Sequence, residues 1–268
     1  MKPFVAYTCV IGGYDQLQEG GAPASAQAAP DAKFLYFSDQ SNARLPEPWQ
    51  VRPLSSPPEL QTAHAINRYH KFFPHRVLPE CEVSIYHDGN IRFDADYATL
   101  VARLRSLGAA VGAFRHPAKR SLNDELAACV AQDKLDANQL ATARDQLARY
   151  AAEGFDCDAV ISANYLLVRD HSHPALDQAM TLWWEQITTH APRDQLSLGY
   201  ALATAGLPFA FLDDSSNTSG VVPPVRAPHR GERRRKRWRR LRSLVAGRSA
   251  KIGVPARGSD PTDEQYKQ

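Results

Sequence analysis

The stretch with the clearest capacity for chemistry is Asp88-Gly89-Asn90, which ends a short apolar segment. Residues 83–86 alternate apolar and polar types, which predicts a strand. Open α/β sheets bind ligands just beyond the carboxyl ends of their strands. In an extended chain the Asp88 and Asn90 side chains would project to one side, where their oxygens suit Mg²⁺ or Mn²⁺ completed by phosphate and water. Gly89 would let a diphosphate approach the backbone. The alternative is an ordinary Asp-Gly-Asn turn.

Polar residues also follow other predicted strands. A strand over residues 2–11 is followed by Gly12-Gly13, a turn that suits a nucleotide lying beside the backbone, or a plain strand-to-loop turn. The dinucleotide fingerprint GxGxxG is absent. A strand over residues 33–39 ends at Asp39, which would hydrogen-bond a ribose or base, or cap the next turn. A later strand is followed by His116, and a lone histidine in such a place is more often structural than catalytic.

The helices predicted between these strands carry further charged residues. A helix over residues 59–73 would place Arg68 and Lys71 on one face. The two cations could clamp a diphosphate, or form a solvated basic face. Glu125, near the start of another helix, would be a helix-dipole partner or a substrate contact. The other predicted elements are helices over 95–107, 121–152 with a break near 136–138, 174–190 and 192–205, and strands over 49–54, 111–114, 158–168 interrupted at 162–164, and 207–212. This strand–helix order predicts an α/β fold with a mostly parallel sheet flanked by helices.

The composition indicates a globular protein with a real core. Hydrophobic residues make up 43% of the 268, and no apolar run reaches the roughly 20 residues of a membrane span. The four cysteines are far apart in sequence, which argues against a zinc site or a disulfide framework. The N-terminal apolar run reads as a strand rather than a signal peptide. A reducing cytoplasm is the expected setting.

The charge is unevenly distributed along the chain. Residues 226–251 contain twelve Lys/Arg and one Glu, a net charge of +11, so the rest of the chain carries −8 of the total +3. Apolar residues at helical spacing within 230–245 suit a helix on an anionic membrane surface. A disordered solvated tail is the main alternative, and nucleic-acid binding is not expected because the body is acidic. The expected organisation is a domain over 1–222, a basic amphipathic segment over 223–251 and a disordered tail over 252–268.

A set of motifs, taken in order, resembles one family. The matching segments cover about residues 4–212 and lie at residues 5–15, 37–39, 68–71, 85–91, 114–116, 125, 183–185 and 193–197. They resemble a glycosyltransferase-like domain family with plant and bacterial members. That family is similar to the retaining GT-A glycosyltransferases of the glycogenin and bacterial galactosyltransferase type. The resemblance implies a GT-A-like fold with a Rossmann-like sheet, and a DxD metal motif at Asp88-Gly89-Asn90, where Asn replaces the second Asp.

The resemblance also implies a function and a set of roles. The expected activity is transfer of a hexose from a nucleoside diphosphate sugar to a hydroxyl of a glycan or glycolipid, in lipopolysaccharide or surface polysaccharide synthesis, at the cytoplasmic face of the membrane. A catalytically inactive nucleotide-sugar or glycan binding module is the alternative. The implied catalytic residues are Asp194 and Gln195; the donor-binding residues are Gly12, Gly13, Asp15, Asp39, Arg68, Lys71, His116, Glu125, Asn164 and Arg193; and the ligands for Mn²⁺ or Mg²⁺ are Asp88, Asn90 and His229.

Overall fold

The centre of the fold is a seven-stranded sheet in the described part of the chain. The computed structural model describes residues 4–15, 17, 31–93, 96–213 and 224–227. The strand order is β3-β2-β1-β4-β7-β6-β8, and a separate pair is formed by β5 and β9. The strands are β1 (Phe4–Val10), β2 (Lys33–Ser38), β3 (Gln50–Pro53), β4 (Val83–His87), β5 (Ile91–Arg92), β6 (Val111–Arg115), β7 (Ser162–Asp170), β8 (Phe209–Phe211) and β9 (Val225–Arg226).

The sheet is parallel except at one strand. β1 pairs in parallel with β2 and β4, β2 with β3, and β6 with β8, whereas β7 runs antiparallel between β4 and β6. The chain leaves β1 toward β2 and β3 and then returns to place β4 on the other side of β1. This reversal is the kind of switch point at which open α/β sheets bind ligands. The predicted α/β fold with a mostly parallel sheet is confirmed.

Seven α-helices are present among the described residues, and polar side chains begin several of them. Thr62 accepts a hydrogen bond from the Ala65 amide at the start of α1, Ser121 caps α4, and Asp136 forms a capping box with Gln139 at the start of α5. The helices are α1 (Ala63–Phe72), α2 (Pro74–Val77), α3 (Tyr97–Ser106), α4 (Leu122–Ala131), α5 (Ala137–Ala152), α6 (Leu176–Thr189) and α7 (Leu198–Thr204), with a 3-10 turn over Asp194–Leu196.

Helices cover both faces of the sheet. On one face, buried residues of α3 such as Leu100 and Leu104 join a core with Ile85 and Val168. On the other face, Trp183 of α6 stacks on Phe72 of α1, with ring centroids 3.5 Å apart. This second core fixes α1 and α6 against the sheet, and α1 brings Arg68 and Lys71 to its carboxyl edge.

Some predicted boundaries were wrong. The helix expected from residue 59 begins at Ala63, because Thr62 rather than the earlier proline pair forms the cap. The strand expected over 158–168 begins only at Ser162, so residues 162–164 start β7 instead of interrupting it. The described residues belong to one unit, Met1–Ala227. That unit extends beyond residue 222, since β9 pairs antiparallel with β5.

No helix in the described ranges is both long enough and apolar enough to traverse a lipid bilayer.

Candidate active site

The Asp88-Gly89-Asn90 segment is a turn at the carboxyl edge of the sheet, beside the switch point. The Ile91 amide donates to the Asp88 carbonyl oxygen at 3.0 Å, and the Asp88 amide donates to the Tyr165 carbonyl oxygen at 2.8 Å. The extended geometry expected for this segment was therefore wrong, because the hydrogen bond closes a turn. Asp88 is directed to Lys71, whereas the Asn90 amide nitrogen donates to the Ala227 carbonyl oxygen at 2.6 Å.

Gly89 is required by close packing inside the protein. A Cβ at this position would lie 2.5 Å from Val10 Cγ2 and 3.1 Å from Asp15 Cβ. The expectation that the missing Cβ leaves room for a diphosphate was wrong on that side, because β1 and Asp15 already occupy the space. Asp15, which was predicted to contact the donor, is buried against this glycine.

We expect Gly89→Ala to lower the free energy of unfolding by about 2 kcal/mol, because the new methyl group meets a stiff β-branched side chain. Gly199→Ala is the matched control: in helix α7 its Cβ would meet only Phe155, at 3.4 Å. Alanine is the better helix former, so this change should be neutral or stabilising by up to about 1 kcal/mol. Denaturant titrations of both variants measure the difference. Equal stability of the two variants would contradict the packing role of Gly89.

A charged cluster, formed by Arg68, Lys71, Asp88 and Asp194 and called here the Asp194 cluster, lies next to this turn. Lys71 Nζ is 2.8 Å from Asp194 Oδ2 and 3.3 Å from Asp88 Oδ1, and Arg68 Nη1 is 3.0 Å from Asp194 Oδ2. The Lys71 side chain is 1% exposed and that of Asp88 is 32% exposed. Arg68 and Lys71 therefore share one face of α1, as predicted, but that face is largely buried and not solvated.

The electrostatics of the cluster favour ionised groups. Burial alone would raise the pKa of Asp194, but the charges of Arg68, Lys71 and Arg193 outweigh it and hold the pKa well below the usual range. Burial and the charge of Asp88 raise the pKa of Tyr86 well above its ordinary value. Tyr86 therefore stays protonated and donates to Asp88 Oδ1 at 2.9 Å. The cluster holds two cations and two carboxylates and is neutral overall.

The backbone of Asp194 is held by side chains from two other elements. Asn164 of β7 donates through Nδ2 to the Asp194 carbonyl oxygen at 3.0 Å, and Trp183 of α6 donates through Nε1 to the same oxygen at 3.2 Å. Asn164 also accepts a hydrogen bond from Ser162 Oγ at 2.6 Å. Asn164 is fully buried and bonds to protein atoms, so any effect on a bound donor would act through Asp194.

The end of α1, which carries Arg68 and Lys71, is held by side chains of the sheet strands β1 and β7. The Tyr7 hydroxyl donates to the His70 carbonyl oxygen at 2.8 Å, and the Arg169 guanidinium donates to the Lys71 carbonyl oxygen and to the Tyr7 hydroxyl. Arg169 is completely buried, and burial lowers its pKa. A cation at the carboxyl end of a helix compensates its dipole. These bonds fix the turn from which Lys71 reaches the two carboxylates.

A second charged cluster, called here the Glu125 cluster, lies beside the first; Lys119, Glu125 and Arg193 are in contact, and Lys134 is near enough for its charge to act on them. Glu125 is fully buried and accepts from Lys119 Nζ and from Arg193 Nη2, the latter at 2.9 Å. Burial alone would raise the pKa of Glu125, but the hydrogen bonds from Lys119 and Arg193 outweigh it and lower the pKa. Arg193 Nη2 also lies 3.4 Å from Gln195 Oε1, which links this cluster to the segment carrying Asp194.

The remaining predicted donor residues mostly shape loops. Gly12 and Gly13 both have φ of 62°, a left-handed conformation that favours glycine. The Gly12 amide donates to both carboxylate oxygens of Asp39, at 3.1 and 3.0 Å, so Asp39 closes this turn from the neighbouring strand. His116 Nδ1 accepts from the Ala118 and Lys119 amides. Burial, followed by the charge of Lys119, lowers the pKa of His116, which therefore stays neutral at pH 7.

The turn offers few ligands to a divalent cation, which would have to take most of its ligands from elsewhere. The Asp88 carboxylate is partly exposed, and within the described ranges no donor reaches the buried Asn90 Oδ1. Two protein oxygens completed by phosphate and water are usual for Mg²⁺. The described residues contain no group of three or more His, Cys, Asp or Glu that could hold a metal. His229, the third predicted ligand, lies outside the described residues.

Sequence reasoning missed Lys119 of the Glu125 cluster and two residues, Tyr86 and Arg169, that support the Asp194 cluster. Tyr86 lies two residues before Asp88, so strand alternation could have placed both side chains on one side. Lys119 lies three residues after His116. The sequence shows it only as a basic residue that follows a strand, with no signal that it contacts Glu125. Arg169 is a charged residue in the otherwise apolar run of β7, which is itself a signal of a buried ionic contact.

A comparison with protein families matches residues 49–209 to the TOD1/MUCI70 glycosyltransferase-like domain. The match covers more than half of the chain. The chain belongs to this family. The resemblance expected from the sequence is confirmed, and the matched range includes both clusters and the Asp88-Gly89-Asn90 turn of this glycosyltransferase-like domain. No curated protein sequence gives a significant match.

Solved structures give distant similarities to this TOD1/MUCI70 domain. Mouse xyloside xylosyltransferase 1, in its apo form, has 11% sequence identity and a TM-score of 0.47, over 79% of this chain and 85% of that chain. The 2-C-methyl-D-erythritol 4-phosphate cytidylyltransferase from Thermus thermophilus has 15% identity and a TM-score of 0.39, over 85% and 93%.

Proposed function

We propose that this glycosyltransferase-like domain transfers a hexose from a nucleoside diphosphate sugar to a hydroxyl group of a glycan or glycolipid. The observation that carries the proposal is the Asp194 cluster, which buries two cations beside a partly exposed aspartate at the switch point of the sheet. Although the two carboxylates balance their charge, Lys71 and Arg68 are fixed cationic donors at that place, and they suit a diphosphate leaving group, on which negative charge develops as the bond to the sugar breaks. Lipopolysaccharide or surface polysaccharide synthesis is the proposed setting.

The proposed roles follow the positions of the side chains. Lys71 and Arg68 supply positive charge to the diphosphate, and Asp194 keeps both ammonium and guanidinium groups in place. The Gly12-Gly13 turn, closed by Asp39, borders the nucleoside. Gln195, adjacent to Asp194 and in contact with Arg193, faces the anomeric centre. Asp88 and Asn90 would hold Mg²⁺ or Mn²⁺, which as a Lewis acid would neutralise charge on the diphosphate.

A thermal-shift screen of nucleotides and nucleotide sugars, with and without Mn²⁺, tests the proposal. A ligand at about 100 times its Kd stabilises the native state by about 2.7 kcal/mol, which moves the unfolding midpoint measurably. We expect stabilisation by one nucleoside diphosphate class, increased by Mn²⁺. Absence of stabilisation by every nucleotide would contradict the proposed donor. Stabilisation of the same size with and without Mn²⁺ would contradict the proposal that Asp88 and Asn90 bind a metal ion.

One observation favours an alternative, a nucleotide-sugar or glycan binding module without catalysis. Asn90 stands where a second carboxylate would strengthen a metal site, and its amide nitrogen is engaged by Ala227. A binding module would be stabilised by a nucleotide sugar and would leave it intact. Incubation of the stabilising nucleotide sugar with candidate acceptors, followed by detection of released nucleoside diphosphate, distinguishes the two functions.

The basic segment over 230–245 lies outside the described residues. Contact of this segment with an anionic membrane surface stays a proposal, together with a location at the inner face of the membrane. Its basis is the composition of the segment, in which each Lys or Arg near such a surface contributes about 1 kcal/mol.

A further inference from the structure

The charges of the Glu125 cluster do not balance. Both oxygens of Glu125 are engaged, since Oε2 accepts from Lys119, and Oε1 accepts from Arg193 and from the Cys129 thiol. One buried carboxylate thus faces two cations. Lys134 adds a third positive charge, so the cluster carries a net charge of +2. Arg193 also acts on Asp194, but the two clusters taken together hold five cations and three carboxylates, so the excess of positive charge remains.

The excess positive charge acts on neighbouring groups. Burial lowers the pKa of Lys134, and the charges of Arg193 and Lys119 lower it further, against the opposing effect of Glu125. The pKa of His116 is lowered by burial and then by Lys119, with Lys134 and Arg226 acting in the same direction and Glu125 against them. A group of cations that repel one another is stabilised by an added anion.

Within the described ranges, the two acidic residues adjacent in sequence form no ion pair with these three cations. Asp124 accepts a hydrogen bond from the Arg120 amide at the start of α4, and Asp133 is exposed beside Lys134. Within the described ranges, Arg193 Nε is buried without a hydrogen-bond partner. Lys134 itself is exposed, so an anion could approach the cluster from solvent.

We propose that the Glu125 cluster binds an anionic group of the acceptor, a phosphate or a carboxylate, through Lys119, Lys134 and Arg193. The inference rests on the proposed function, because it assigns the donor diphosphate to the Asp88 side of Asp194 and leaves the Arg193 side for the second substrate. Arg193 precedes Asp194 and contacts Gln195, so an anion held there would lie next to the proposed site of transfer. The acceptor class is therefore an acidic or phosphorylated glycan.

The test measures binding of inorganic phosphate and of glucuronate to the full chain by the shift in unfolding midpoint, at constant ionic strength. Lys134→Glu is the variant, since Lys134 is exposed and its reversal leaves the buried ion pairs intact. Lys33→Glu is the matched control, an exposed lysine at the amino end of β2, on the opposite edge of the sheet. We expect the affinity for one of the two anions to fall at least about fivefold in Lys134→Glu and to stay unchanged in Lys33→Glu.

A second measurement separates donor from acceptor. The same anion is titrated in the presence of saturating nucleoside diphosphate, and we expect the two ligands to bind together. Competition between them would assign the cluster to the donor and overturn the proposal. Equal affinities of Lys134→Glu and the unaltered protein, or no binding of either anion, would overturn it as well. If no nucleoside diphosphate binds, the proposed donor fails, and the comparison of Lys134→Glu with Lys33→Glu still decides whether the anion site exists.

Discussion

Replacing Asp194 by asparagine is expected to lower the free energy of unfolding by about 3–5 kcal/mol, the usual cost of removing one partner from a buried ion pair. Asp194 is buried, and Lys71 beside it is 1% exposed. In the variant, Lys71 would keep only its contact with Asp88, at 3.3 Å, and Arg68 would lose its bonded carboxylate. Denaturant unfolding followed by circular dichroism measures the change.

Asp177→Asn is the control for this prediction. Asp177 also accepts hydrogen bonds from two basic side chains, His75 and Arg76, but its side chain is 58% exposed. Ion pairs in water contribute little, so the control should lose less than about 1 kcal/mol. A similar loss in both variants would mean that the Asp194 cluster is no more important for stability than a surface pair.

The pH dependence gives an independent check on Asp194. Its pKa in the folded protein is depressed below the unfolded value of about 3.9. The stabilisation is therefore fully present well above pH 3.9 and is lost as the pH falls from there through the folded pKa. Asparagine does not titrate, so the stability gap between the unaltered protein and Asp194→Asn should shrink in that acid range. A gap that stays constant down to pH 2 would contradict the assigned charge of Asp194.

The sheet and most helices could be predicted because their signals are local. Alternation before Asp88 and the run of β-forming residues in β1 are properties of a few adjacent residues. Spacing alone also placed Arg68 and Lys71 on one face of α1. Both side chains do contact Asp194, which is more than 120 residues later in the chain.

The burial of the site could not be predicted, because it depends on contacts between distant segments. Nothing near Glu125 indicates that Lys119 and Arg193 enclose it. The role of Gly89 is set by Val10 of a neighbouring strand. The reversed direction of β7 depends on pairing with β4 and β6, and its residues alone do not encode it. Such features appear only when tertiary packing is known.

Asp88→Ala is expected to reduce sugar transfer by at least about 100-fold while the protein stays folded. The Asp88 carboxylate is 32% exposed and accepts hydrogen bonds from Tyr86 and Lys71. In the variant, Lys71 keeps its ion pair with Asp194. We expect the loss of activity to have two sources: the variant lacks the carboxylate proposed as a ligand for Mg²⁺ or Mn²⁺, and Lys71 is no longer held between two carboxylates. Release of nucleoside diphosphate from the donor, compared at equal fractions of folded protein, measures the change.

Asp170→Ala separates this chemical effect from a general effect of losing an acid at a strand end. Asp170 ends β7, which runs antiparallel, so it lies at the opposite edge of the sheet, where it accepts from the Ser172 amide and hydroxyl. Its variant should keep nearly full activity. If Asp88→Ala retained transfer at the level of Asp170→Ala, the turn at Asp88 would have no catalytic function. The fixed cations Arg68 and Lys71 would then be sufficient to stabilise the leaving diphosphate.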